Sequence, residues 1–156
     1  MNAPNLRQYL DREKISYSIV SHAPAFSAQK IAALAHVPGR QMAKTVMVKL
    51  DGQLAMAVMP ADLAVDLEHL GEVTGASRVD LASEWEFKDR FPDCEAGAMP
   101  PFGNLYGMPV FVADALAEDE FIVFNACNHH EMIRMRYADF ARLVQPRLLD
   151  IAWRRV

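Results

Sequence analysis

An ammonium on an apolar strand face, a loop shaped by glycine and proline, and a histidine pair beside a cysteine are the groups in this chain that could do chemistry. In Gln41 to Leu50 the side chains alternate, so Lys44 shares a face with Val46, Val48 and Leu50, while Lys49 lies opposite with Thr45 and Met47. A lysine so placed either snorkels from the strand end to water or keeps its charge in a pocket, where it would stabilise developing negative charge. The stretch Glu95 to Gly107 holds Gly97, Gly103, Gly107 and the adjacent Pro100 and Pro101, so it continues neither a helix nor a central strand. Glycine lets backbone approach a ligand, and the prolines fix the chain so that N–H groups are held in one orientation. The same composition also suits a surface crossover that only turns the chain.

His129-His130-Glu131 suggests a metal site, but neighbouring side chains on a strand point to opposite faces and the spacing matches no helical zinc motif. Cys127 and His129, two apart on a strand, imitate a thiol nucleophile and its base, yet no third group orients them. His22, His36 and His69 belong to no constellation. The nine methionines suit an adaptable core rather than a cofactor site.

These groups must be positioned by a small number of elements. Leu6, Tyr9 and Leu10 predict a short amphipathic helix ending near Lys14, and Tyr17 to Val20 a strand. Ser27 predicts the N-cap of a helix through Ile31, Leu34 and Ala35, stopped by Pro38-Gly39. Thr45 to Leu50 and Leu54 to Met59 form a hairpin about Asp51-Gly52. Leu63, Leu67 and Leu70 predict a helix ending between Gly71 and Gly75, and Ser83 to Arg90 an acidic helix. Strands follow over Val110 to Val112, Phe121 to Ala126 and Met132 to Arg136, with a closing helix over Tyr137 to Val144. Irregular alternation of helices and strands gives a mixed α/β (α+β) fold with a curved mixed sheet flanked by helices.

The 156 residues, 52% of them apolar, are the size of one domain with one core, residues 1–156. No apolar run is long enough to span a bilayer and the opening residues lack an apolar signal core, so a soluble cytoplasmic protein is expected. Cys94 and Cys127 fit no metal spacing and no secreted framework, and reduced thiols are the default. The net charge of −4 hides an asymmetry. Residues 1–50 carry seven Lys/Arg against two acids and residues 129–156 six against three, whereas residues 51–95 carry three against eleven. If the basic ends meet, they form a surface for phosphates, and Arg40, Arg134 and Arg136 are its candidates.

Gln41 to Leu50, Glu95 to Gly107 and Phe124 to Met135, in this order and preceded by Ser21-His22-Ala23-Pro24-Ala25-Phe26-Ser27, resemble the YbaK and prolyl-tRNA-synthetase editing-domain family. Its freestanding members are aminoacyl-tRNA deacylases. The resemblance runs from about Leu6 to Leu143 and takes in the family's G-x-x-x-P loop as Gly97 to Pro101. It implies that Lys44 orients the 3′-terminal nucleotide and stabilises charge as the ester is cleaved. Gly97 and the residues to Pro101 would turn backbone N–H groups to the ester carbonyl, with Ala98, Met99, Pro100, Pro101 and Phe102 as walls that limit the aminoacyl group. His22 would line the pocket mouth, and Thr45 beside Lys44 would join the substrate contacts. His129 matches a histidine of the alanine- or serine/threonine-type branches and would hydrogen-bond substrate or an attacking water. The usual Gly-Ser before that histidine is Cys127-Asn128 here.

The resemblance therefore implies a hydrolase that clears a small amino acid, alanine or serine/threonine before cysteine, from mischarged tRNA. No cofactor or metal is expected. The partner is the 3′-terminal aminoacyl adenosine of mischarged tRNA, with an aminoacyl-tRNA synthetase as a further partner and neither membrane nor DNA. Nothing in the chain looks like an ATP site or a synthetase core, so editing would occur in trans. The rival reading is a catalytically inactive aminoacyl-tRNA or nucleic-acid binding module. No serine stands in the three motifs, so attack by water or by the substrate itself, without a covalent enzyme intermediate, is expected.

Overall fold

A computed structural model describes residues 5–22, 38–95 and 97–154. The helix expected from Ser27 lies outside the described residues. The first helix, α1 (Leu6–Arg12), starts where the Asn5 side chain accepts from the N–H groups of Arg7 and Gln8, and it buries Leu6 and Leu10. Strand β1 (Tyr17–Ser21) follows. The expected hairpin is β2 (Ala43–Leu50) and β3 (Gln53–Pro60), and Asp51 and Gly52 both take positive φ, 50° and 84°, as a tight two-residue turn requires.

Leu63 is a correction: it belongs to a short strand, β4 (Leu63–Val65), and the helix α2 (Leu67–Thr74) begins only after Asp66, whose side chain caps it. The two share leucines at helical spacing, but the capping aspartate between them stops the helix from extending back. Next come β5 (Val79–Leu81), helix α3 (Glu84–Phe87) with its Ser83/Glu86 capping box, and a 3₁₀ turn over Lys88–Arg90. Beyond the glycine-proline loop lie β6 (Val110–Ala113), β7 (Phe121–Asn125), β8 (Glu131–Arg136), α4 (Tyr137–Val144), β9 (Arg147–Leu149) and β10 (Ala152–Arg154).

The strands form a five-stranded sheet ordered β5-β2-β3-β6-β9, a three-stranded sheet ordered β1-β8-β7, and a two-stranded pair of β10 with β4. The first is mixed, since the β3-β6-β9 pairings are parallel and the β5-β2-β3 pairings are antiparallel. A parallel bridge between Met42 and Val123 joins the two larger sheets into a curved surface. One side of it is covered by a core cluster that includes Met47, Val58, Met99, Phe102, Ile122, Phe124, Ile133 and Phe140. A second cluster, with Val48, Ala57, Leu70, Phe111 and Ile151, packs α2 on the other side of the five-stranded sheet. The N-terminal β1 pairs with β8 near the other end of the chain, from Tyr17 opposite Met135 to Ser21 opposite Glu131. The two basic ends are therefore brought together.

Candidate active site

The glycine-proline loop is laced to the turn between β7 and β8. Glu95 N–H donates to Cys127 C=O at 2.9 Å, Cys127 N–H to Ala98 C=O at 3.0 Å, and Ala98 N–H to Glu95 C=O at 3.1 Å. Beside this clasp Cys94 and Cys127 form a disulfide, which corrects the expectation of reduced thiols. The hydrogen bonds of Cys127 to Glu95 and Ala98 bring two cysteines 33 apart in sequence to a Cα separation of 4.3 Å, a proximity that spacing alone does not reveal. Bonded in this way, Cys127 offers no thiol nucleophile, and it lies in a turn rather than on a strand with His129.

Gly97 and His129 meet across the clasp. Gly97 sits at φ 82°, the left-handed region that favours glycine, and a Cβ built there would lie 3.5 Å from His129 Cε1. His129 is only 4% exposed. Its backbone N–H donates to Glu95 Oε2 at 3.3 Å, and its ring Nε2 stands 4.0 Å from the same oxygen. At the Cys127-Asn128 departure the chain makes a tight turn. Cys127 takes φ 72°, and the Asn128 side-chain oxygen accepts from the N–H groups of His130 and Glu131 at 3.0 and 2.7 Å, which closes the turn.

The loop residues expected as pocket walls are buried from Ala98 through Gly103. Phe102 serves the core more than a pocket: its ring centroid lies 5.5 Å from those of Phe124 and Phe140, and this anchors the loop. At Gly103 a Cβ would fall 2.5 Å from Met108 O, so the loop returns too tightly for any side chain there. Pro100 and Pro101 have no N–H and that of Ala98 is spent on Glu95. Between residues 97 and 101, Gly97 and Met99 carry the N–H groups that make no backbone hydrogen bond among the described residues.

Lys44 is half-buried on β2. The parallel bridge of Met42 to Val123 puts Lys44 and Asn125 each two residues further along neighbouring strands, with side chains on the same side. Thr45 faces the other way, with Ala43 and Met47 of the first core cluster, so the structure does not place it beside Lys44. His22 N–H donates to His130 C=O at 2.9 Å, extending the β1–β8 pairing. By alternation His22 shares a face with Val20, Met132 and Asn125. Asn125 is a residue that the sequence reading missed. Its side-chain oxygen is buried without a hydrogen-bond partner among the described residues, and in sequence it looked like no more than the end of an apolar strand.

The same face continues into the basic residues. Arg134 and Arg136 follow Met132 at roughly 7 and 13 Å along β8. Arg134 lies 3.9 Å over the Phe121 ring, and Arg136 donates to Glu120 at 2.9 Å. Arg40 stands near Asp119, whose carboxyl is raised by burial while the Arg40 charge opposes that rise. All three arginines thus flank the start of β7. Among the described residues no group of three His, Cys, Asp or Glu is placed to hold a metal ion, and no helix is long and apolar enough to cross a membrane.

The profile of the aminoacyl-tRNA editing domain matches residues 22–143, the span from His22 to the closing helix. The chain belongs to the aminoacyl-tRNA editing domain family. Editing an aminoacyl-tRNA is hydrolysis of its ester, so the chain is of a hydrolase family. Over 147 residues it is 30% identical to the Multifunctional Ser/Thr-tRNA deacylase ProXp-y of Escherichia coli (strain K12), covering 90% of this chain and 87% of that protein. It is also 26% identical over 100 residues to the proline–tRNA ligase of Bacillus mycoides (strain KBAB4), covering 64% of this chain and 17% of the ligase. A crystal structure of a protein provisionally described as a trans-editing enzyme for prolyl tRNA synthetase superposes with a TM-score of 0.80 at 14% identity, over 98% of this chain and 99% of the other. A crystal structure of a hypothetical protein superposes with a TM-score of 0.85 at 16% identity, over 96% and 100% of the two chains. Both share the mixed α/β editing-domain fold.

Proposed function

We propose that the chain, as one editing domain over residues 1–156, hydrolyses the ester of tRNA mischarged with a small amino acid, serine or threonine first and alanine next. The reading is carried by the contact of Gly97 with His129, which joins the family's loop to the histidine of the alanine- and serine/threonine-type branches. It is supported by the Ser/Thr-tRNA deacylase relative. Gly97 and Met99 N–H groups polarise the ester carbonyl, and Lys44 stabilises the charge that develops on the tetrahedral intermediate and orients the terminal nucleotide. The attacking water is held by His129 or by the free hydroxyl beside the ester on the terminal ribose, so the enzyme orients and polarises rather than forming a covalent intermediate. The carbonyl carbon gains the water oxygen, the ester bond breaks, and the ribose oxygen leaves with a proton. Arg40, Arg134 and Arg136 hold acceptor-stem phosphates along the face leading away from the site. The mischarged tRNA, and no resident cofactor, completes the chemistry.

Deacylation of a panel of tRNAs charged with serine, threonine, alanine, cysteine and proline tests the reading. Turnover of seryl- or threonyl-tRNA well above the others is expected. Tight binding of the panel with no hydrolysis would replace the enzyme with a binding module.

A further inference from the structure

The His129 ring stands against Gly97, Lys44, His22 and the polar amide of Asn125 share one face of the neighbouring strands, and none of these groups is an anion. Every aminoacyl ester brings a cation of its own, the α-ammonium, into such a site, and an ammonium needs an acceptor, best an anionic one. Three carboxylates lie on the clasped segments. Glu131 is ion-paired with Arg7 and accepts from the Asn128 amide. Asp93 lines a cavity with Asn5, Arg7, Tyr106 and Cys127. Glu95 alone of the three contacts His129, whose ring stands against Gly97.

Its geometry suits capture of a ligand cation. The Glu95 backbone is pinned at both its N–H and its C=O by the clasp, so the side chain starts from a fixed point two residues before Gly97. Oε2 accepts from His129 N–H at 3.3 Å, and at 4.0 Å the His129 ring is beyond hydrogen-bond reach of it. Oε1 is uncommitted among the described residues, and the side chain is 52% exposed, open to what enters.

We propose that Glu95 receives the α-ammonium of the aminoacyl group, so that the site accepts esters with a free amine and refuses N-blocked ones. The inference rests on the editing function proposed above and adds a recognition element common to every amino acid the site would take. A carboxylate facing an ammonium distinguishes the charged amine from an amide of the same shape.

The test compares seryl-tRNA with N-acetyl-seryl-tRNA in the wild-type protein and in Glu95→Gln. The wild type should prefer the free amine by roughly tenfold or more in kcat/KM, the usual effect of one hydrogen bond to a charged group. Glu95→Gln should lose most of that preference by slowing on seryl-tRNA while its rate on the acetylated substrate stays near wild type. Equal slowing on both substrates would overturn the proposal, because it would show Glu95 acting through His129 alone. Equal wild-type rates on both would overturn it as well. Calorimetry with non-hydrolysable 3′-seryl-amido adenosine and its N-acetyl form reads the same preference as a binding ratio, without turnover. A wild type that hydrolyses nothing but keeps the binding preference, lost in Glu95→Gln, would refute the editing function and uphold Glu95. An absent preference in binding would refute Glu95 whatever the turnover. Circular dichroism and the melting temperature confirm that the variant is folded.

Discussion

Gly97 presents its open Cα to the His129 ring, with room for a Cβ at 3.5 Å from Cε1 but at a backbone φ of 82° that a side chain resists. The loop and the histidine turn are therefore held in contact by backbone geometry, and a change at Gly97 is felt as backbone strain more than as a clash.

Gly97→Ala should lower deacylation more than it lowers stability. The left-handed conformation costs alanine about 1 kcal/mol, which a melting curve reads as a shift of a few degrees. Relaxation of the loop away from φ 82° would move the Gly97 and Met99 N–H groups off the carbonyl and reduce kcat/KM by roughly tenfold or more. Unchanged kcat/KM with a lowered melting temperature would make the loop a plain structural turn.

Lys44→Ala should fold normally and lose on the order of a hundredfold in kcat, since it removes a preorganised charge from the developing oxyanion. The circular dichroism spectrum and melting temperature provide the control. Wild-type turnover in the folded variant would remove Lys44 from the chemistry.

Replacing Arg134 and Arg136 together should weaken all tRNAs alike and flatten the dependence of log Kd on log salt by about one unit for each phosphate that is no longer neutralised. Arg136 already pairs with Glu120, so the greater part of the change should come from Arg134. An unaltered slope would put the tRNA on another face.

The Cys94→Ala, Cys127→Ala double variant should remain active, because no step uses a thiol. It should be less stable, with a loss of up to about 4 kcal/mol by loop-closure entropy for a segment of this length. Denaturant unfolding of oxidised and reduced protein measures the loss. An inactive but folded variant, with a thioester trapped in the wild type, would overturn the water mechanism.

Glu86 reports on the far end of β2. The hydrogen bond from Lys49, followed by the Ser83 backbone N–H, lowers its pKa from 4.5 to about 2. A folded value below the unfolded one means stabilisation that is full above about 4.5 and is lost as the pH falls towards 2. Glu86→Gln should therefore have a lower urea midpoint than the wild type at about pH 6, and the gap should close as the pH is lowered through about 4 to 3. A gap that stays constant across that range would show that Glu86 contributes through something other than its charge.

Most of the elements were legible because their signals are local. Asp51-Gly52 between two apolar runs, the Ser83 cap, the alternation that sets Lys44 against Thr45, and the break imposed by Pro100-Pro101 each lie within a few residues, where propensity and turn chemistry act. The motifs themselves, with Lys44, Gly97 and His129 in order, were likewise present in the chain as written. The three-residue strands β4, β5, β9 and β10 had no periodic signal, because such a strand exists only through the partner it pairs with. Leu63 keeps helical spacing with Leu67 and Leu70 yet is a strand residue for the same reason. The meeting of Gly97 with His129, the Cys94–Cys127 bond, the left-handed turn at Cys127 and the approach of Glu95 to His129 all depend on backbone hydrogen bonds between residues about thirty positions apart. Those contacts belong to the assembled sheets and not to any stretch of sequence: the order of residues fixes which groups are available, and only the closing of β7 and β8 onto the loop decides which of them share a site.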